Sequence, residues 1–382
     1  MEYAFPYLLL ASFYGILGWW YRTAEEGLTR GRIVVLCIVT FILFFGLRGF
    51  VFYDWYGYYP NFNSYSLATL KTLPFSQWPY EPGFVLLMTS CKALYNNFHF
   101  FVFVCTCINA VLLFRFFGKY SFNVPLSLMV FLCMNGIGLS TDLMRNSISI
   151  LLFINALEFL EKRRPIPYFA VCVLATSIHY SSLLFFPLYF FLHRRISKWV
   201  FLGVFIIGNM IFLLRIPVFL QLVSYFANYI DPKLQLKIDI YVKYATGIGF
   251  KLDLGFIERL FSGILVFIYY DKLRGIRENS NIFINAILLY FIVFYAFSEF
   301  PVISKRFATL FVFSYWIIWS DLIRCFSLRN NRNLFIAFLS IYCLLKTYSL
   351  CNYPFAKYDN LIWGVKSYQE RKIIFDKTFN ES

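Results

Sequence analysis

The chain has 382 residues, of which 60% are apolar and only 14% charged, and its mean hydropathy is +0.64. Soluble domains are about half apolar and about a quarter charged, so this composition excludes a water-soluble globule, a disordered chain, a coiled coil and a disulfide scaffold. The net charge of +15 would point a soluble protein toward nucleic acid, but here the basic residues sit in short stretches between apolar runs, as in the cytoplasmic loops of membrane proteins, and no nucleic-acid partner is expected.

The runs Ile33 to Gly46 and Ile282 to Ser298 are unbroken, whereas barrel strands alternate over about 10 residues. The expectation is an all-α, polytopic integral membrane protein. The start, Met1-Glu2-Tyr3, lacks the basic stretch and cleavage site of a signal peptide. Six basic clusters follow along the chain: Arg22/Arg30/Arg32, Arg115/Lys119, Lys162/Arg163/Arg164, His193/Arg194/Arg195/Lys198, Lys272/Arg274/Arg277 and Arg324/Arg329/Arg332. With all six in the cytoplasm, the crossings fall near 3–21, 33–51, 97–114, 122–140, 142–160, 166–178, 179–192, 199–217, 255–270, 281–298, 307–323 and 334–350. The expected count is therefore 10–12, in a single transmembrane domain over 1–350 with outer loops at 52–96 and 218–256 and a C-terminal tail at 351–382, on a side left open. Segment 82–96 reads as a re-entrant or surface helix. Segments 166–178 and 179–192 are short against the ~20 residues of a spanning helix. The nine cysteines lie mostly within apolar runs without zinc-ligand spacing, and read as small core hydrophobes.

On this topology the remaining polar residues gather at or near the outer face. Arg48 ends an apolar run and opens a loop to Asp54, followed by Trp55, Tyr56, Tyr58 and Tyr59. These rings serve either as an interfacial belt or as a platform stacking on sugar C–H faces, with Trp55, Tyr56 and Tyr59 the candidate sugar contacts. Glu81 precedes Pro82, which suits a first helical turn, so Glu81 is either a carboxylate near a helix cap or a base at a cavity rim. Asp142 and Arg145 are three apart and can form a local ion pair; ionisable groups at membrane depth also mark sites. His179, in Ser177-Ile178-His179-Tyr180, is a structural hydrogen bonder or a catalyst. Arg259 and Arg306 each open an apolar run, as snorkelling anchors or as anion ligands. Both runs end in D-x-x-R, at Asp271 and Asp321. Guanidinium groups bind phosphate bidentately and stay charged, which makes a lipid-linked diphosphate the natural ligand. Nucleotide-loop, zinc-protease, serine-elbow and dinucleotide motifs are absent, and the spacing of Asp54 and Glu81 demands no metal, so no cofactor is expected.

The order Arg48, Asp54, Glu81-Pro82-Gly83-Phe84, Arg145 opening a helix, His179-Tyr180-Ser181-Ser182-Leu183 and the late arginines resembles the EpsG-like membrane proteins, polysaccharide polymerases related in role to the Wzy O-antigen polymerases. The likeness covers roughly residues 30–325. Phe52-Tyr53 stands where the family often has Gly-Thr, and Asn146 where it often has Gln. The resemblance implies a GT-C-like glycosyltransferase of the bacterial inner membrane, multi-pass and active on the periplasmic face. It would join undecaprenyl-diphosphate-linked oligosaccharide repeats into capsule, exopolysaccharide or O-antigen, beside a flippase and a chain-length regulator. In that role Glu81, Asp54 or His179 supplies a base, and Arg48, Arg145, Arg259 and Arg306 hold diphosphate. A lipid-linked oligosaccharide flippase or other transporter, and a membrane acyltransferase modifying polysaccharide, remain alternative functions for the same residues.

Overall fold

The computed structural model describes residues 2–221, 225 and 253–381, so the expected outer loop 218–256 lies mostly outside the described residues. All regular structure within them is helical. The chain divides into two compact units, residues 1–189 with 328–382, and residues 190–327.

The first unit runs α1 Phe5–Thr23, α2 Leu28–Phe41, α3 Trp55–Ser64, α4 Leu67–Thr72, α5 Pro82–Leu94, α6 Phe98–Tyr120, α7 Val124–Phe131, α8 Ile137–Thr141, α9 Met144–Glu161 and α10 Pro165–Ile178. A 3-10 turn, Tyr180–Phe185, leads to the short α11, Leu188–Phe191, where the unit boundary falls. The second unit holds α12 Lys198–Leu213, α13 Leu254–Ile268, α14 Tyr270–Ile276, α15 Ser280–Ala296, α16 Pro301–Thr309 and α17 Phe313–Cys325. The chain then returns to the first unit through α18 Arg329–Cys351 and α19 Tyr368–Glu381.

Among the described residues four helical stretches are long and apolar enough to cross a bilayer: Leu28–Gly46, Phe98–Tyr120, Val124–Thr141 and Arg329–Cys351. A pair bent by 62°, Ile303–Thr309 and Phe313–Cys325, makes a fifth if it counts as one span. Pro82–Leu94, Pro165–Ile178, Tyr180–Phe191, Lys198–Leu213 and Ser280–Ala296 are apolar but only 10–17 residues long. The protein is thus an all-helical, polytopic membrane protein in which full-length spans are interleaved with short or broken helices. The breaks have local causes. A π turn over Ile42–Gly46 continues α2, and another over Leu132–Gly136, with Asn135 at φ 67°, separates α7 from α8. Helix α10 stops at Ile178 because His179 is extended, which divides the 166–192 region in two.

Two long helices set the axis of the first unit. Helices α6 and α9 pack side by side and end together, where Lys119 and Tyr120 bond Glu161 at 3.0 and 2.5 Å and Lys162 bonds Glu158 at 2.6 Å. Two of the expected cytoplasmic clusters therefore share one end of the bundle. Arg145 lies at the start of α9, and at a rise of 1.5 Å per residue that helix carries it ~24–27 Å from Glu161, close to the hydrocarbon thickness of a bilayer.

The tail, whose side was open, folds back to the Arg48 end. The N–H groups of Gly49 and Phe52 donate to the carbonyls of Asp359 and Phe355 at 2.9 and 2.8 Å, and that of Leu361 donates to Leu47 at 2.8 Å. Helix α19 then lays its rings on α3. Tyr368 stacks on Tyr59 with centroids 4.3 Å apart, and Phe375 stacks on Tyr56 at 5.0 Å. All nine cysteines are free, and all but the half-buried Cys107 are buried.

A carboxylate clamped between an arginine and a histidine

Three sequence-predicted residues from three helices meet in the first unit. Glu81 is the N-cap residue of α5, with Pro82 at N1, where a missing N–H costs nothing. Its carboxylate makes no cap bond to the helix. It turns instead toward the end of α10 and the start of α9. Oε1 accepts from Nδ1 of His179 at 2.7 Å and from the Tyr180 N–H at 3.1 Å, and Oε2 accepts from Arg145 at 2.6 Å.

The local sequence makes this meeting possible. A Cβ on Gly83 would stand 2.4 Å from Oγ of Ser177 and 2.8 Å from its carbonyl oxygen, so only glycine lets α5 approach α10 here. Two residues after Ser177, the extended backbone of His179 turns its ring to Glu81. Ser181 donates to the Asn146 side chain at 3.2 Å, a second tie between the end of α10 and the start of α9.

Arg145 is held on three sides. Its Nε donates to the hydroxyl of Tyr58 at 3.1 Å, one terminal nitrogen reaches Glu81, and its guanidinium lies 4.6 Å from the ring centroid of Tyr80. The Tyr80 hydroxyl accepts from Asn61 at 2.7 Å, which fixes that ring. Cation–π contact and charge-assisted hydrogen bonds together pin the guanidinium while, among the described residues, its second terminal nitrogen has no protein partner. Glu81 is 5% exposed at its side chain, whereas Arg145 and His179 are 27% and 25% exposed, so the carboxylate is buried beneath two more accessible side chains.

Burial by itself would push the Glu81 carboxyl up. The His179 hydrogen bond, its own backbone N–H, the Arg145 charge and the Tyr180 N–H outweigh it and hold the group down to about 2. Glu81 is therefore a fixed anion at ordinary pH. An ionised carboxylate can only accept, so His179 must donate from Nδ1, and in the neutral ring Nε2 carries the lone pair.

The other predicted residues stand apart from this cluster. The Asp142–Arg145 pair does not form. Arg145 turns to Glu81, and Oδ1 of Asp142 accepts the N–H groups of Tyr53 and Asp54 at 2.7 and 3.0 Å. That bond holds the backbone of Asp54, the N-cap residue of α3, at the helix that presents Tyr58. Arg48 is 4% exposed and tied to the carbonyls of Phe45 and Thr141, the latter at 3.2 Å, so it braces the bundle rather than presenting an open anion site. The expected stacking platform is covered: Trp55 is buried with its Nε1 on the Phe52 carbonyl, and Tyr56 and Tyr59 each give one ring face to α19.

Arg259 and Arg306 belong to the second unit. Arg259 is buried, 3.6 Å from the ring centroid of Phe294 and 3.7 Å from Asp253, whereas Arg306 is exposed in the last turn of α16. Among the described residues no three His, Cys, Asp or Glu side chains come together as a metal site. Tyr58 and Tyr80 were not singled out by sequence reasoning. Their signal was adjacency alone, a tyrosine beside Glu81 and another in an aromatic loop, and nothing distinguished them from the surrounding rings.

No curated protein and no solved structure matches the chain. The model of the EpsG family matches residues 32–361, which span α2 to the returning tail and include all three residues of the cluster. The chain belongs to the EpsG family, and is a membrane protein of polysaccharide biosynthesis.

Proposed function

We propose that this protein polymerises lipid-diphosphate-linked oligosaccharide repeats, and that Glu81, Arg145 and His179 form its reaction centre. In this reading the growing chain on its lipid diphosphate is the donor. A hydroxyl of an incoming lipid-linked repeat attacks the anomeric carbon; the new glycosidic C–O bond forms as the bond to diphosphate breaks, and the hydroxyl proton passes to a base. The observation that carries the proposal is the shared carboxylate: Oε1 of Glu81 on His179 and Oε2 on Arg145.

Each residue then has a task. His179 accepts the proton at Nε2, the nitrogen that Glu81 leaves free, and general-base help of this kind contributes about 10² to 10⁴ in rate. Glu81 fixes the ring and steadies the imidazolium once it forms. Arg145 meets the leaving diphosphate with its unpartnered terminal nitrogen. Because Glu81 already offsets one unit of its charge, Arg145 acts more by position than by net field.

The distance along α9 between this cluster and the basic end supports a site on the face opposite the basic clusters. By the positive-inside rule that face is the outer one, periplasmic in a bacterial inner membrane. The test is replacement of Glu81 by Gln, Arg145 by Ala and His179 by Ala in the producing strain. Each is expected to shorten the polymer to single or few repeats at normal protein level. Full-length polymer from all three would overturn the proposal.

A further inference from the structure

A concavity lies beside α3, on the flank that carries Tyr59. It has a volume of about 450 Å³ and is walled by α3, the Asn96–His99 turn and the tail segment 365–370. A cavity of this size is within the range of small-molecule sites. Its chemistry differs from that of the Glu81 cluster. Its polar lining includes the solvent-exposed side-chain amides of Asn63 and Asn96 and the half-buried Tyr59 and Tyr368, none of whose side-chain polar atoms is tied up by the protein among the described residues. Each amide offers two donors and an acceptor oxygen, and each phenol one donor and one acceptor. Among the described residues its charged side chains are Lys366 and Glu370, one of each sign.

From this lining we infer that the cavity binds a neutral, hydroxyl-rich ligand: a short glycan segment of the lipid-linked chain, held apart from its diphosphate. A balanced pair of charges gives no net attraction for an anion. Unpaired amides and phenols match the alternating donors and acceptors of sugar hydroxyls, and an apolar ligand would strand them. The Tyr59–Tyr368 pair adds the edge of its ring stack beside these groups. The aromatic loop thus takes part in sugar contact through the edge of the Tyr59–Tyr368 stack, and its open faces are not needed.

The location gives the cavity a use. Tyr58 and Tyr59 are successive residues of α3, about 100° apart around the helix. Tyr58 holds Arg145, and Tyr59 forms the cavity wall. One helix thus registers the glycan on one flank and the anion grip on the other. The tail is part of this site, since residues 365–370 close it. The identity of the ligand rests on the polysaccharide reading above; the neutrality of the cavity does not.

The experiment uses the full-length protein in lipid nanodiscs. The probe is a set of oligosaccharides of two to six sugars, released by mild acid from the producing strain's own polymer, with binding read by calorimetry. Wild type is expected to bind. Asn63→Ala/Asn96→Ala should bind about ten-fold or more weakly, the effect of two lost hydrogen bonds. Tyr59→Phe/Tyr368→Phe, which keeps the ring stack and removes both hydroxyls, should weaken binding several-fold with the fold unchanged. Wild-type affinity in both double variants, or no binding by wild type, overturns the inference. Glu81→Gln and Arg145→Ala should keep glycan affinity while losing polymerisation. If they polymerise normally while the Asn variants lose the glycan, the reaction centre is misassigned and the glycan cavity stands.

Discussion

Nδ1 of His179 lies 2.7 Å from Oε1 of Glu81, although 98 positions separate the two residues in the chain. That single bond orders the chemistry. The carboxylate is committed to the ring and to Arg145, so in the proposed reaction proton transfer falls to the far nitrogen of the histidine. The consequence is an asymmetry between two substitutions. His179→Ala removes the proposed base and should lower turnover by about 10² or more. Glu81→Gln keeps the volume, holds the ring less well and releases the full charge of Arg145. It should lower turnover too, but with tighter apparent binding of the lipid diphosphate. Steady-state kinetics on purified lipid-linked repeats would separate the two; equal loss with no change in apparent affinity for Glu81→Gln contradicts this assignment.

The depressed titration of Glu81 makes a prediction with a definite sign. In the folded protein the carboxyl is held to about 2, against an ordinary 4.5. The unfolded state therefore binds the proton more readily, and the stabilisation is complete above about pH 4.5 and lost as the pH falls toward 2. Wild type should melt above Glu81→Gln at pH 6, and the gap should narrow steadily below pH 4.5. Melting curves of the detergent-solubilised protein at a series of pH values check this. A gap that stays constant down to pH 3 would contradict it.

Gly83 should be intolerant of any side chain. A methyl group there meets both the hydroxyl and the backbone carbonyl of Ser177, and the carbonyl cannot be trimmed away. Gly83→Ala should destabilise the first unit by about 1–3 kcal/mol or push Glu81 off His179. Adding Ser177→Ala should not restore it, because the carbonyl remains 2.8 Å from the new atom. Melting temperature and polymer length, measured together on the single and double variants, give the answer; full rescue by Ser177→Ala would refute the backbone contact.

The tail should lie on the same side of the membrane as the α3–α5 loop. Its backbone bonds residues 47–52, and its helix packs on α3. Single cysteines at Lys377 and Ser76 should therefore react with an impermeant reagent from one side, and a cysteine at Arg163 from the other. The native cysteines give little background, since nearly all are buried. Labelling of Lys377 and Arg163 positions from the same side would contradict the arrangement.

The sequence carried some of this and hid the rest, for physical reasons. Composition and unbroken apolar runs were enough for an all-helical membrane protein, because leaving that much apolar surface exposed to water is unfavourable. Glu81, Arg145 and His179 stood out as polar groups beside apolar runs, a signal that survives without any contact information. Their partners did not stand out. Tyr58 and Tyr80 are two rings among many, and their roles come from helix packing that no spacing encodes. Arg48 looked like its fellow arginines, yet a π turn over Ile42–Gly46 drops it beneath α6, among backbone carbonyls. The aromatic loop read as an open platform because its cover, Tyr368–Glu381, is a polar stretch about 300 residues away in sequence. Span lengths were blurred by breaks at 132–136 and 179, which depend on backbone dihedrals and leave little trace in composition.

The most direct test of the central claim is the chain-length distribution made by purified, full-length protein in proteoliposomes supplied with lipid-linked single repeats. Wild type should convert them into a ladder of long products, and Glu81→Gln, Arg145→Ala and His179→Ala should each leave most of the single repeats unjoined while remaining folded. Wild-type ladders from all three would mean that this cluster does not make the glycosidic bond.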